Sequence, residues 1–210
     1  AYKIWKTKDT PKFTSSKKIA ALEPHHEFFN RDDRNLLWIN LLNDLCNSFY
    51  NCAKKNPNIE FILKLKPAYR ENHEMISFFE KKQNLKNIKI LTSGNAISLL
   101  EKSTIVISHR STALFEGIAR GIPVLIPHLG ECHIEKYKPY IFNFSNIDDD
   151  IITSKSALEF ENTIQKLLNK KPLIKKELTQ SKKDLLKKWV GNDDGKSGER
   201  LISIIKKEFY

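Results

Sequence analysis

Short β-branched and aliphatic runs alternate along this chain with stretches of helical periodicity, and that alternation constrains the fold more than any other feature. KKIAALEP (17–24), IEFILKLKP (59–67), NIKILTS (87–93), TIVISH (104–109) and IPVLIP (122–127) read as strands. Between them, RNLLWINLLNDLCNSFYNCAKK (34–55), ENHEMISFFEKKQ (71–83), NAISLLEKS (95–103) and STALFEGIARG (111–121) read as helices. In the first of these, Leu37, Leu41, Leu45 and Phe49 recur at helical spacing, with Asp32 or Asp33 as N-cap candidates. Gly121 suits the position just past a helix end. Strands separated by helices build βαβ units, and therefore a parallel sheet covered on both faces. Further on, KPYIFNF (138–144) is expected to add one more short strand, and the acidic SNIDDDIITS (145–154) a loop. SALEFENTIQKLLNK (156–170) and the stretch beyond it read as helices.

At 210 residues the chain suits one large domain. A chain of that size hides roughly 70% of its unfolded surface, enough for a real core. Residues 1–16 read as an extension or linker, and 17–210 as the domain, with C-terminal helices from about 156. The first residues are basic but lack the apolar centre of a signal peptide, and no run approaches a membrane span. The three cysteines, Cys46, Cys52 and Cys132, form no CxxC pair, which argues against a disulfide framework. A cytoplasmic setting is therefore expected.

The net charge of +11 favours anionic partners. Much of it falls in KKPLIKKELTQSKKDLLKKW (170–189), where lysine pairs alternate with Leu173, Ile174, Leu178, Leu185 and Leu186. That spacing gives an amphipathic helix with a basic face, either a plain surface helix or one in peripheral contact with an anionic membrane. Nucleic acid is a weaker rival, because the chain carries no RNP-like motif, zinc finger or helix-turn-helix.

Ligands of parallel sheets sit at the carboxyl ends of the strands. Of the loops there, SHRSTALFEG (108–117) is the most informative. A helix opening at Ser111 or Thr112 offers free N–H groups and the positive end of its dipole, which together attract an anion. Arg110 or His109 adds charge, and Glu116, one turn on, can accept hydrogen bonds from a ribose diol. Each residue alone also reads as a cap or as surface decoration; the phosphate site is read from the set. Lys64 and Lys66 lie on one strand face at period two, with Lys66 at the strand's end, within reach of a phosphate. His25 and His26 follow the first strand and are candidates for a general base or for substrate contact. HLGECH, with His128, Glu131 and His133, is read as a lid or substrate-contact loop. No HExxH or Cys pair points to a metal, and no GxGxxG or GxxxxGKS points to a dinucleotide fold or a P-loop.

The order of apolar strand, Ser111-Thr112, helix with Glu116, and G-I-A-R-G-I-P-V (117–124) resembles the donor-nucleotide half of GT-B glycosyltransferases. The likeness is greatest to bacterial surface-polysaccharide and capsule enzymes. Kindred signatures occur in CDP-glycerol glycerophosphotransferases, CMP-sugar-using Kdo and sialic acid transferases, and UDP-GlcNAc 2-epimerases. The tail WVGNDDGKSGERLISII (189–205) loosely resembles the closing stretch of several of these families, through Gly195, Lys196, Ser197 and Arg200.

The resemblance implies a Rossmann-like parallel sheet with helices on both faces, one half of a GT-B fold, with a helical C-terminal tail. It implies that Ser111 and Thr112 bind the donor phosphate and that Glu116 holds the ribose or nearby hydroxyls. KLKP (64–67) stands where these families often carry K-x-H-P; here Lys66 replaces the histidine, and a lysine can pair with phosphate but substitutes poorly for an imidazole. The expected activity is glycosyl or polyol-phosphate transfer from a CMP-, CDP- or UDP-linked donor to a glycan or lipid-linked glycan, with no cofactor required. The acceptor site would lie on a separate N-terminal domain. A 2-epimerase and a non-catalytic nucleotide- or glycan-binding module stand as alternatives.

Overall fold

Continuous apolar runs become strands where both faces are covered. Residues 19–22, 37–65, 74–82, 85–94, 96–144, 147–169, 177–191 and 196–209 of the chain are described here, from a computed structural model. The strands are β1 (Ile19–Leu22), β2 (Glu60–Lys64), β3 (Ile88–Leu91), β4 (Ile105–Ile107), β5 (Val124–Pro127) and β6 (Ile151–Ser154). The helices are α1 (Ile39–Lys55), α2 (Glu74–Lys81), α3 (Ala96–Leu100), α4 (Ala113–Ala119), α5 (Ala157–Asn169), α6 (Gln180–Val190) and α7 (Ser197–Phe209).

The strands form one six-stranded sheet in the order β3-β2-β1-β4-β5-β6. Every neighbouring pair is parallel, with Ala21 opposite both Ile62 of β2 and Val106 of β4. The order runs outward in one direction from β1 and in the other from β4. The crevice between their carboxyl ends is therefore the topological switch point, where such sheets bind ligands.

One face of the sheet is covered by α1, α2 and α5, through Leu41, Leu45, Phe49, Phe79, Phe160 and Ile164 against Phe61 and Leu63. The other is covered by α4 and α6, through Leu114, Ile118, Leu185 and Leu186 against Val106, Val124 and Ile126. Burying an aliphatic side chain stabilises by about 1.5–3 kcal/mol, so these two layers carry most of the fold's stability. Gly117 lets α4 lie close on the sheet: a Cβ there would stand 3.0 Å from Val124 Cγ1 and 3.2 Å from Val106 Cγ2. α4 ends as its sequence suggests. Gly121 (φ +66°) donates to Ile118, and Ile122 donates to Gly117, a Schellman closure.

Three boundaries differ from the sequence reading. Residues 138–144 are not a strand; Glu135–Tyr140 is a 3-10 turn with Pro139 inside it, and 141–144 is irregular. The sixth strand instead occupies Ile151–Ser154, within the stretch read as an acidic loop. The β-branched Ile151, Ile152 and Thr153 pair with β5, and the aspartates precede them. The first helix starts at Ile39 rather than 34, beyond Asp32 and Asp33, which lie outside the described residues. Its cap comes from far along the chain: Glu131 accepts from the N–H groups of Asn40 and Leu41, both at 2.7 Å.

The aspartates before β6 dock the basic helix α6. Lys182 Nζ lies 3.1 Å from Asp148 Oδ1 and 3.2 Å from Asp150 Oδ2, with Lys182 buried. Thr179 caps α6 and donates its hydroxyl to Asp148 at 2.6 Å. Burial pulls the Asp148 carboxyl upward, but Thr179, the Asp150 N–H and Lys182 together hold it below the usual carboxylate range. Lys182→Ala leaves both carboxylates without their cation and should cost about 3 kcal/mol at neutral pH, read by urea denaturation. A group with a depressed pKa stabilises above its unfolded pKa and loses that contribution as pH falls through the folded one. The gap between wild type and variant should therefore narrow in acid; a gap that is constant with pH would show that the ion pair contributes nothing.

Candidate functional site

The carboxyl ends of β4 and β5 place a compact polar group beside the switch point. β4 is followed by Ser108, His109, Arg110, Ser111 and Thr112, then α4. Ser108, His109 and Ser111 are buried, Arg110 is half-buried and Thr112 exposed. Ser111 Oγ accepts from the Ala113 N–H at 3.2 Å, so Ser111 supplies the turn's hydroxyl cap. Thr112 already has helical dihedrals (φ −59°, ψ −17°) and makes no cap bond. Its hydroxyl is thus an exposed donor and acceptor at the mouth of α4.

Glu116 lies one turn into α4, half-buried. Its Oε2 is buried with no hydrogen-bond partner among the described residues. Burial raises the Glu116 carboxyl above its usual range, and Arg120 opposes that only in part. Arg120 itself donates to the Glu116 backbone carbonyl at 3.1 Å. A carboxylate oxygen with spare acceptor capacity suits a ligand hydroxyl.

Behind the turn lies a packed wall. His109 Nδ1 is 3.1 Å from the Pro127 carbonyl, and only a protonated nitrogen can donate there, so Nδ1 carries the hydrogen. Cys132 Sγ sits 4.0 Å from both ring nitrogens of His109, and burial pushes this thiol up to about 12. Trp38 packs between the His109 ring (5.1 Å) and the Tyr137 ring (4.7 Å). The Arg110 guanidinium lies over the Trp38 ring at 5.6 Å. Trp38 Nε1 is buried without a partner among the described residues.

The other sequence candidates sit apart from this turn, serve the scaffold or lie outside the described residues. Lys64 is buried at the end of β2, one strand beyond β1, and its Nζ donates to the Leu65 carbonyl at 2.8 Å. Lys66, His25 and His26 lie outside the described residues. His128 Nε2 donates to the Phe142 carbonyl at 3.0 Å. Burial lowers its pKa, the Phe142 bond opposes this, and the charges of His133 and Lys155 lower it further. His133 is exposed. Glu131 was expected on a lid, but it is buried and both of its oxygens are held by α1. Trp38 and Tyr137 were missed: Trp38 reads as one more apolar helix residue, and nothing local to Tyr137 signals its reach to the start of α1. Among the described residues, no group of three or more His, Cys, Asp or Glu is arranged to hold a metal ion.

No protein-family profile matches the chain, and no curated protein matches it by sequence. Solved structures match its fold. A UDP-GlcNAc 2-epimerase from Methanocaldococcus jannaschii, solved with UDP-GlcNAc and UDP, superposes with a TM-score of 0.55 over 92% of this chain and 46% of that one, at 14% identity. The wall teichoic acid polymerase TagF, solved with CDPG, gives 0.54 over 92% and 43%, also at 14% identity. The glycotransferase of kitacinnamycin gives 0.52 over 95% and 45%, at 12% identity. The likeness shows the fold, a Rossmann-like half of a GT-B-type protein. This chain spans under half the length of each of the three.

The raised Glu116 carboxyl generates a prediction with a definite sign. A carboxyl whose folded pKa is raised stabilises most below its unfolded pKa and loses that contribution as pH rises through the folded one. Glu116→Gln should therefore be more stable than wild type at pH 7, and its advantage should shrink in acid. Thermal melts across pH test this; a variant less stable at pH 7 would refute the strained-carboxylate reading.

Proposed function

We propose that this chain forms the donor-nucleotide half of an enzyme that transfers a glycosyl or polyol-phosphate group in surface-glycan assembly. One observation carries the reading. At the switch point, a Ser-capped turn, an exposed Thr112 hydroxyl and an orphan Glu116 oxygen lie within one turn of helix. Phosphate needs donors, and a ribose diol needs an acceptor; this order of groups offers both. The fold is shared with proteins solved with UDP-GlcNAc and CDPG, which supports a nucleotide-linked ligand.

In this reading Ser111 and Thr112 contact the donor phosphate, Arg110 adds charge, and Glu116 takes the ribose hydroxyls. Lys64 ends β2 at the same edge, and Lys66 is offered from the sequence as a further phosphate contact. Transfer is helped by stabilising the departing phosphate with fixed donors in a dry site, the largest single term in many enzymes. No metal or cofactor is invoked. His25 or His26 is offered as the base, and the acceptor, a glycan or lipid-linked glycan, would come from a further domain. We place the enzyme in the cytoplasm, with the basic α6 region against an anionic membrane face.

A second reading has its own support, because UDP-GlcNAc 2-epimerases recur among the structures sharing the fold. Epimerisation needs acid–base groups at the sugar in addition to the phosphate site. Incubation with UDP-GlcNAc and product analysis separates the two: a 2-epimer without acceptor favours the epimerase.

The direct test is a thermal-shift panel of CMP, CDP, UDP, UDP-GlcNAc and ADP. A ligand bound only by the native state adds about 2.7 kcal/mol at a hundredfold excess over its dissociation constant. A pyrimidine nucleotide should raise Tm, and the Ser111→Ala/Thr112→Ala double variant should lose that shift while keeping its own fold. An undiminished shift in the double variant would remove the turn from the site.

A further inference from the structure

We infer that Glu131 is a built-in anion that fills the phosphate position at the start of α1 and so assigns ligand phosphate to the β4–α4 turn. The second half of this inference rests on the nucleotide reading above; the first does not. α1 follows β1, and in sheets of this strand order the helix after the first strand receives a ligand's phosphate on its N-terminal N–H groups. Here Asn40 and Leu41 donate those N–H groups to the two oxygens of Glu131, each at 2.7 Å, the length of a charge-assisted bond. The carboxylate is buried, so it is fixed in place rather than a mobile surface charge.

The backbone is shaped for this contact. Gly130 has φ +51°, and a Cβ on it would stand 2.3 Å from the Leu41 nitrogen. No other residue lets the turn come so close. Tyr137 adds a second grip, its hydroxyl donating to the Leu37 carbonyl at 2.8 Å. The two contacts hold residues 37–41 from either side of Trp38. Trp38 in turn backs His109 and Arg110, the residues leading into Ser111. Glu131 thus does two things without touching ligand: it denies α1 to phosphate, and through Trp38 it positions the turn that takes phosphate instead.

The test uses the full chain with Glu131→Gln and Glu131→Ala, and Glu135→Gln as the exposed-carboxylate control. Removing the side chain leaves two inward N–H groups unpaired. Inorganic phosphate or acetate, each tested alone at millimolar concentration, should then raise the Tm of Glu131→Ala by more than that of wild type or Glu135→Gln, whose β4–α4 turns are unchanged. A variant that gains no more from either anion than wild type does overturns the built-in anion. If Glu131→Ala does not fold, Glu131→Ser, which likewise vacates the position of the carboxylate, carries the same comparison. For positioning, the dissociation constant of the nucleotide that shifts wild type is measured by calorimetry where circular dichroism shows the variant folded. Glu131→Gln should weaken it by at least about tenfold, or about 1.4 kcal/mol. Lowered Tm with unchanged affinity overturns positioning and leaves a plain helix cap. If wild type binds no nucleotide, the donor-site reading fails, whereas the phosphate and acetate results still decide the role of Glu131.

Discussion

The residues of β2, β4 and β5 are all buried, so their backbone N–H and C=O groups find their partners on neighbouring strands. That requirement determines the rest of the architecture. Parallel pairing satisfies the groups, and parallel pairing in turn demands a crossover after each strand. The crossovers cover both faces and bring all carboxyl ends to one edge. A chain with these apolar runs thus arrives at a ligand-binding edge before any residue on that edge is chosen.

Charge is handled differently in the scaffold and at the edge. Lys182 meets Asp148 and Asp150, Glu60 meets Lys89, and Glu131 meets two backbone donors. Each is a buried or half-buried group with its partner supplied from a distant part of the sequence, as low-dielectric surroundings demand. Buried side-chain atoms without partners among the described residues include Trp38 Nε1 and Glu116 Oε2, beside the β4–α4 turn, and also Thr153 Oγ1, Ser154 Oγ and Gln165 Nε2 in the scaffold. An unsatisfied buried group costs roughly 1–3 kcal/mol, so a fold tolerates it where a ligand or a neighbouring segment can complete it.

The sequence made the fold class and the turn legible, because both depend on local pattern. Five of the six strands follow from apolar runs between helix-periodic stretches, and Gly121 marks the end of α4 from its residue type alone. What escaped was long-range. β6 hides behind three aspartates, two of which pair with Lys182, more than thirty residues downstream. Glu131 looks like a lid residue beside His133 until α1, some ninety residues upstream, is seen to need a cap. Spacing rules describe neighbours along a helix or strand; they carry no term for a carboxylate that meets a helix end across the sheet.

The same distinction bears on chemistry. Among the described residues, His109 and His128 stand nearest the turn and would be the first imidazoles chosen for proton transfer. Each instead has an N–H directed to a backbone carbonyl, Pro127 or Phe142, and burial lowers the His128 pKa. Cys132, beside His109, is held as a thiol with its pKa pushed up to about 12. These side chains stiffen the wall behind the turn. Around the turn, the Thr112 hydroxyl is exposed, while Glu116 Oε2 is buried without a partner among the described residues. Under the proposed function, the buried polar groups around the turn serve the scaffold, and the proton chemistry would come from another segment.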